Sequence, residues 1–231
     1  MSEQGLSRQT CVETKGLLFD MDGVLISSIG SVVRCWRRWA AIYGIPDAKN
    51  YNVPHGKRAI EIVKMLRPDI DPEEGLRVIE DMEMEDTDDL KVLPGVKRLL
   101  KSLPPERWTI VTSATGRLME GRLKVAGLPV PPRIISGDMV ERGKPDPEPY
   151  VRGAALLGFR PEECVVVEDA PSGVGAGIAA GCRVLGVLGT HSFDELHEAD
   201  WVTASMEGVH VTPRADGLEL CFVPEDAVVA G

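Results

Sequence analysis

Three short runs in this chain, KGLLFD (15–20), WTIVTS (108–113) and CVVVED (164–169), are almost wholly apolar, and each stops on an acid or a hydroxyl. A strand with one face in water alternates polar and apolar residues, whereas a strand covered on both faces does not. These runs, together with RIIS (133–136) and RVLGVL (183–188), therefore predict strands of a parallel sheet sandwiched between helices. Helical patterns fill the gaps at 116–126, 148–157 and 172–181. The second opens with prolines, which the first turn of a helix tolerates. The expected fold class is α/β, a doubly wound parallel sheet with an inserted α-helical domain.

The insert follows the first strand. Helical stretches at 28–43, 57–66 and 72–84 come one after another before the strand pattern resumes, which is too much chain for a single crossover helix. The expected division is a flexible tail at 1–14, a discontinuous core of 15–32 and 93–231, and a helical insert at 33–92. Near the end, 210–223 predicts a hairpin with Asp216-Gly217 at its turn.

Charge narrows the function. Lys plus Arg number 26 against 36 Asp plus Glu, a net charge of −10, which argues against a broad nucleic-acid footprint. No apolar run approaches the length of a membrane span, and the polar N-terminus carries no apolar signal core. The 5 cysteines are odd in number, scattered and without CxxC spacing. That argues against a disulfide scaffold or a thiolate metal site and favours a reducing cytoplasm. The sequence is compatible with a monomer.

In open parallel sheets, ligands bind at the carboxyl ends of the strands. Those ends carry Asp20 and Asp22, Thr112 and Ser113, then Glu168 and Asp169, with Lys144 in the loop GKPDPEPY. Gathered together, the acids would repel one another, and a divalent cation with hard oxygen ligands, best Mg²⁺, removes that cost. A carboxylate can attack phosphorus. A second acid two residues on can protonate the leaving oxygen and then activate water. Lysine, metal and a hydroxyl would neutralise the phosphoryl oxygens. The set is complete for hydrolysis of a phosphate ester.

DMDGV (20–24), VTSAT (111–115), GKPDPEPY (143–150) and VVVEDAPSG (165–173), in this order, resemble the haloacid dehalogenase superfamily. The insert is similar to the small helical cap of its sugar-phosphatase branch. VPHGKRAIEIV (53–63) and the closing hairpin resemble the 2-deoxyglucose-6-phosphatase and glycerol-3-phosphatase group. The resemblance implies that Asp20 is nucleophile and Mg²⁺ ligand. It makes Asp22 the acid/base and a ligand through its carbonyl, and Asp169, with Glu168, a further ligand. It implies that Lys144 steadies Asp20 and the phosphate, and that Thr112 or Ser113 binds the phosphate. The substrate would be a small phosphorylated metabolite, a sugar or polyol phosphate. A phosphomutase of the same fold is the alternative. Residues 25–28 read LISS, where many relatives carry an acid before the serine.

Other features are ambiguous or structural. His55, Lys57 and Arg58 form a compact cationic patch in an acidic insert and are candidates for substrate contact, His55 and Arg58 above all. Gly175, Gly177 and Ala180 match a relaxed dinucleotide fingerprint, but Glu168 and Asp169 would face the pyrophosphate. Close helix–sheet packing explains the small residues better. Trp36 and Trp39 are expected to pack rather than to stack on a sugar. His191, His197 and His210 show no ligand spacing.

Overall fold

A computed structural model describes residues 9–54 and 56–225. Its centre is a parallel sheet of β2 (Gly16–Phe19), β5 (Trp108–Val111), β6 (Ile134–Ile135), β7 (Cys164–Glu168), β8 (Arg183–Val187) and β9 (Trp201–Thr203). The spatial order is β6-β5-β2-β7-β8-β9, and every neighbouring pair is parallel. The chain thus starts in the middle, winds to one edge and returns to wind to the other. This leaves a topological switch point between β2 and β7.

Every residue of β2, β5 and β7 is buried, as their unbroken apolar runs require. Helices α4 (Val96–Ser102) and α5 (Gly116–Ala126) contribute to the apolar cluster on one face of the sheet. Helices α6 (Glu148–Leu157) and α7 (Pro171–Ala180) contribute to the cluster on the other. The fingerprint glycine of α7 is explained by packing: a Cβ on Gly177 would stand 2.8 Å from Val184 Cγ2 and 3.3 Å from Val166 Cβ.

The inserted helices α1 (Ile29–Ile42), α2 (Ala59–Leu66) and α3 (Pro72–Glu85) close around an apolar cluster of their own, with Trp36, Trp39, Ile62, Val63, Ile79 and Met82 at its heart. Both tryptophans are buried, and Trp39 also stacks on Tyr43 at 4.3 Å and donates to Gly75 O at 2.9 Å. Asp71 caps α3 by accepting from Glu73 N, with Pro72 in the first turn. The insert is entered and left through a two-stranded ribbon, β3 (Ile26–Ser27) against β4 (Lys91–Val92). The expected start at residue 33 would cut α1 just past its first turn. The ribbon, by contrast, brackets all three inserted helices.

Two expectations fail at the chain's beginning. Residues 10–14 are not a tail: they form β1 (Thr10–Thr14), antiparallel to β11 (Gly217–Phe222), which also pairs with β10 (His210–Arg214). Val12 lies opposite Leu220 and packs against the core, a long-range pairing that a polar local sequence conceals. Residues 1–8 lie outside those described. Cys11 also faces Cys221 and is joined to it by a disulfide, while Cys35, Cys164 and Cys182 are free and buried. Scattered spacing hid this pair because strands 210 residues apart bring it together. With this pair bridged, the cysteines give no support to a reducing compartment. Among the described residues no helix is long and apolar enough to cross a membrane.

Candidate active site

Asp20 follows the last residue of β2, and its backbone N–H donates to Val167 O at 3.0 Å, fixing it at the switch point. The chain then turns back on itself, with Leu25 and Ile26 N–H both donating to Met21 O. Gly23 permits this turn. It has φ +91, and a Cβ there would fall 1.9 Å from Asp169 Oδ2. Any side chain at 23 would therefore collide with an acid of the neighbouring strand end.

Lys144 is 2% exposed and reaches the same point. Its ammonium donates to Asp20 Oδ1 (2.6 Å), Glu168 Oε1 (2.7 Å) and Val111 O (3.1 Å), which uses all its donors. Burial alone would lower its pKa, but the Asp20 and Glu168 carboxylates outweigh burial and push it up. Glu168 also accepts from Tyr150 Oη (2.8 Å) and from the N–H groups of Asp169 and Ala170. Asp169 accepts from the Thr190 hydroxyl on one oxygen.

Ligand oxygens of Asp20, Glu168 and Asp169 lie within 4.8 Å of one another, all three residues buried. Burial pushes Asp20 up to about 7 against the pull of Lys144. Burial and the neighbouring carboxylates raise Asp169 well above the usual range. Protons favoured on buried acids are the mark of negative charge in want of a cation, and hard oxygens suit a divalent metal.

Asp22 accepts from Ser28 Oγ (2.6 Å) and from Arg122 Nη1 (2.9 Å). Thr112 Oγ1 accepts from Ala114 N–H (3.1 Å), and Ser113 Oγ donates to Gly56 O of the insert (2.6 Å). Asp20, Asp22, Thr112, Ser113 and Asp169 line one cleft, roofed by Trp36, Val53, Lys57 and Glu83 from the insert. Lys144 and Glu168 form the buried support beneath it.

A family model described as haloacid dehalogenase-like hydrolase matches residues 14–181. The chain belongs to that family. It is 39% identical to Hexitol phosphatase A of Escherichia coli, over 88% of this chain and 96% of that one. It is 32% identical to Glycerol-1-phosphate phosphohydrolase 1 of Saccharomyces cerevisiae, over 89% of each. Among solved structures, a hydrolase from Pseudomonas syringae superposes with a TM-score of 0.75 at 25% identity, covering 84% of this chain and 94% of that one.

In this haloacid dehalogenase-like hydrolase the expected cap contacts are redistributed. Arg58 does not reach the cleft. Its guanidinium donates to Val140 O (2.8 Å), Glu141 O (2.9 Å) and Gly137 O (3.3 Å) of the core, and to Glu61 Oε1 (2.8 Å). It ties the insert down, and its neighbour Lys57 lines the cleft instead. His55 lies outside the described residues.

Four residues at the hydrolase's site were not singled out from the sequence: Tyr150 and Thr190, which hold Glu168 and Asp169, and the buried pair Arg122 and Glu83 (3.1 Å). The pair had a signal. Arg122 falls four residues after Leu118, and Glu83 four after Ile79, so each puts a charge on a buried helical stripe.

Proposed function

We propose that this hydrolase is a Mg²⁺-dependent phosphatase that cleaves small phosphorylated sugars or polyols through an aspartyl-phosphate on Asp20. The observation that carries the reading is the Asp20–Lys144–Asp169 cluster at the switch point, with a second acid, Asp22, on the same turn. The names of the relatives, hexitol and glycerol phosphate hydrolases, support the same substrate class.

Asp20, Asp169 and the main-chain carbonyl of Asp22 would hold the ion, with Glu168 beside them. When bound it supplies positive charge to the phosphoryl oxygens. Lys144 occupies Asp20 Oδ1, while no hydrogen bond from the described residues reaches Oδ2, which is left to attack phosphorus. Asp22 gives a proton to the departing sugar oxygen, then takes one from the water that hydrolyses the acyl phosphate. Thr112, just past the end of β5, donates its hydroxyl to the phosphoryl group, because the Ser113 hydroxyl proton is given to Gly56 O. The inserted helices act as a cap that excludes bulk water while Asp20 is phosphorylated.

A phosphomutase would have to hold a bisphosphate, hence a second anion. The relatives of 30% identity or more named above are a phosphatase and a phosphohydrolase, which favours hydrolysis. The test is phosphate release from a panel of glycerol, hexitol and hexose phosphates with Mg²⁺. Release that vanishes in Asp20→Asn supports the phosphatase. Interconversion of hexose phosphates, without release, would replace it with the mutase.

A further inference from the structure

Arg122 is 4% exposed, yet it carries a permanent charge on the inward stripe of α5, where a leucine would pack without any need for a partner. Its guanidinium spans two carboxylates from different parts of the chain. Nη1 is 2.9 Å from Asp22 Oδ2, on the turn after β2, and Nη2 is 3.1 Å from Glu83 Oε2, on the inserted helix α3. All three residues line the cleft. The other oxygen of Asp22 accepts from Ser28, which stands just past the ribbon where the insert begins. Both grips on Asp22 thus lead toward the insert: Ser28 by chain, Arg122 by way of Glu83.

We propose that Arg122 is a positioning residue that fixes the Asp22 carboxyl for proton transfer, and that Glu83 makes this placement depend on the cap being seated. The inference rests on the phosphatase reading above. As the bond from Asp20 to phosphorus forms, the bond from phosphorus to the sugar oxygen breaks with its electron pair, and that oxygen takes the proton held on Asp22. A proton placed wrongly slows this step most when the leaving group is a basic alkoxide. It matters little when the leaving group is a stable anion such as nitrophenolate.

The experiment compares kcat/KM for glycerol phosphate and for p-nitrophenyl phosphate in wild type, Arg122→Lys, Arg122→Gln, Glu83→Gln and the Glu83→Gln/Arg122→Lys double variant. Arg122→Lys keeps a cation between the two acids, so the fold does not depend on the substitution; circular dichroism checks it. Both Arg122 variants are expected to lose about 100-fold or more on glycerol phosphate and less than about tenfold on p-nitrophenyl phosphate. Glu83→Gln is expected to shift the same ratio by less, and the double variant to be no worse than Arg122→Lys alone. Equal losses on the two substrates, or none, would overturn the positioning role. Additive losses in the double variant would overturn the link through Glu83. If wild type releases phosphate from neither ester, the phosphatase reading itself falls, before any variant is compared.

Discussion

The floor and the roof of the cleft are built by different rules. On the floor, Asp20, Glu168 and Asp169 are positioned by β2 and β7, which are buried throughout and run parallel in fixed register, Phe19 beside Val167. Lys144 and Tyr150 then lock Asp20 and Glu168 with hydrogen bonds of 2.6 to 2.8 Å, and the Thr190 hydroxyl holds Asp169. The roof has its own apolar cluster and meets the core through charged side chains. Arg58 lies on core carbonyls, Arg117 on Asp81 at 2.6 Å, Thr115 on Glu80, and Arg122 on Glu83. A close-packed apolar interior gives little when strained, whereas a polar seam can part and exchange its partners with water. The difference teaches that strand register sets the acids of the floor, while hydrogen-bonded polar pairs set how the roof is seated on the core.

The largest effects should fall on the floor. Asp20→Asn should leave the circular dichroism spectrum unchanged and cut phosphate release below about one part in a thousand. Higher residual turnover in a clean preparation would remove Asp20 as the nucleophile. Lys144→Met should also abolish turnover, and it should destabilise the fold by about 3–5 kcal/mol in urea, because two buried carboxylates lose their cation. A near-neutral stability change would mean the floor is less tightly locked than its geometry implies.

Metal sharpens the contrast. Asp20 titrates near 7 in the fold against an ordinary 3.8, so folding takes up a proton between those values. This contribution to stability is fully present below pH 3.8 and is lost as pH rises through about 7. A cation competes with that proton. Mg²⁺ should therefore raise the melting temperature at pH 8 and do so progressively less toward pH 5. A Mg²⁺ shift that is flat with pH, or larger in acid, would break the assignment of Asp20 as a ligand.

Smaller effects are expected from the roof and from the floor's outer support. Arg58→Ala should loosen the cap, raising KM several-fold with kcat within about tenfold of wild type. A collapse of kcat would mean that Arg58 touches the reacting group. Tyr150→Phe keeps the ring and removes one donor to Glu168, at a cost of about 0.5–1.5 kcal/mol by chemical denaturation. A loss exceeding that of Lys144→Met would show that Glu168 relies on Tyr150 more than on Lys144.

The chain by itself determined the parallel sheet, the helical insert and the acids of the floor. Unbroken apolar runs admit one environment, and the residues that close each run must stand at the sheet's carboxyl edge, so Asp20, the pair Thr112 and Ser113, and Asp169 were legible without coordinates. Only the tertiary structure decided the rest. Whether Arg58 or Lys57 turns toward the cleft depends on how α2 rests on the core, because adjacent residues on a helix start point in different directions. The pairing of Arg122 with Glu83 and of Cys11 with Cys221, and the capture of residues 10–14 as a strand, all join segments distant in sequence. Local pattern carries periodicity and burial, but the partner of a buried charge or of an edge strand is chosen by what the completed fold brings alongside it.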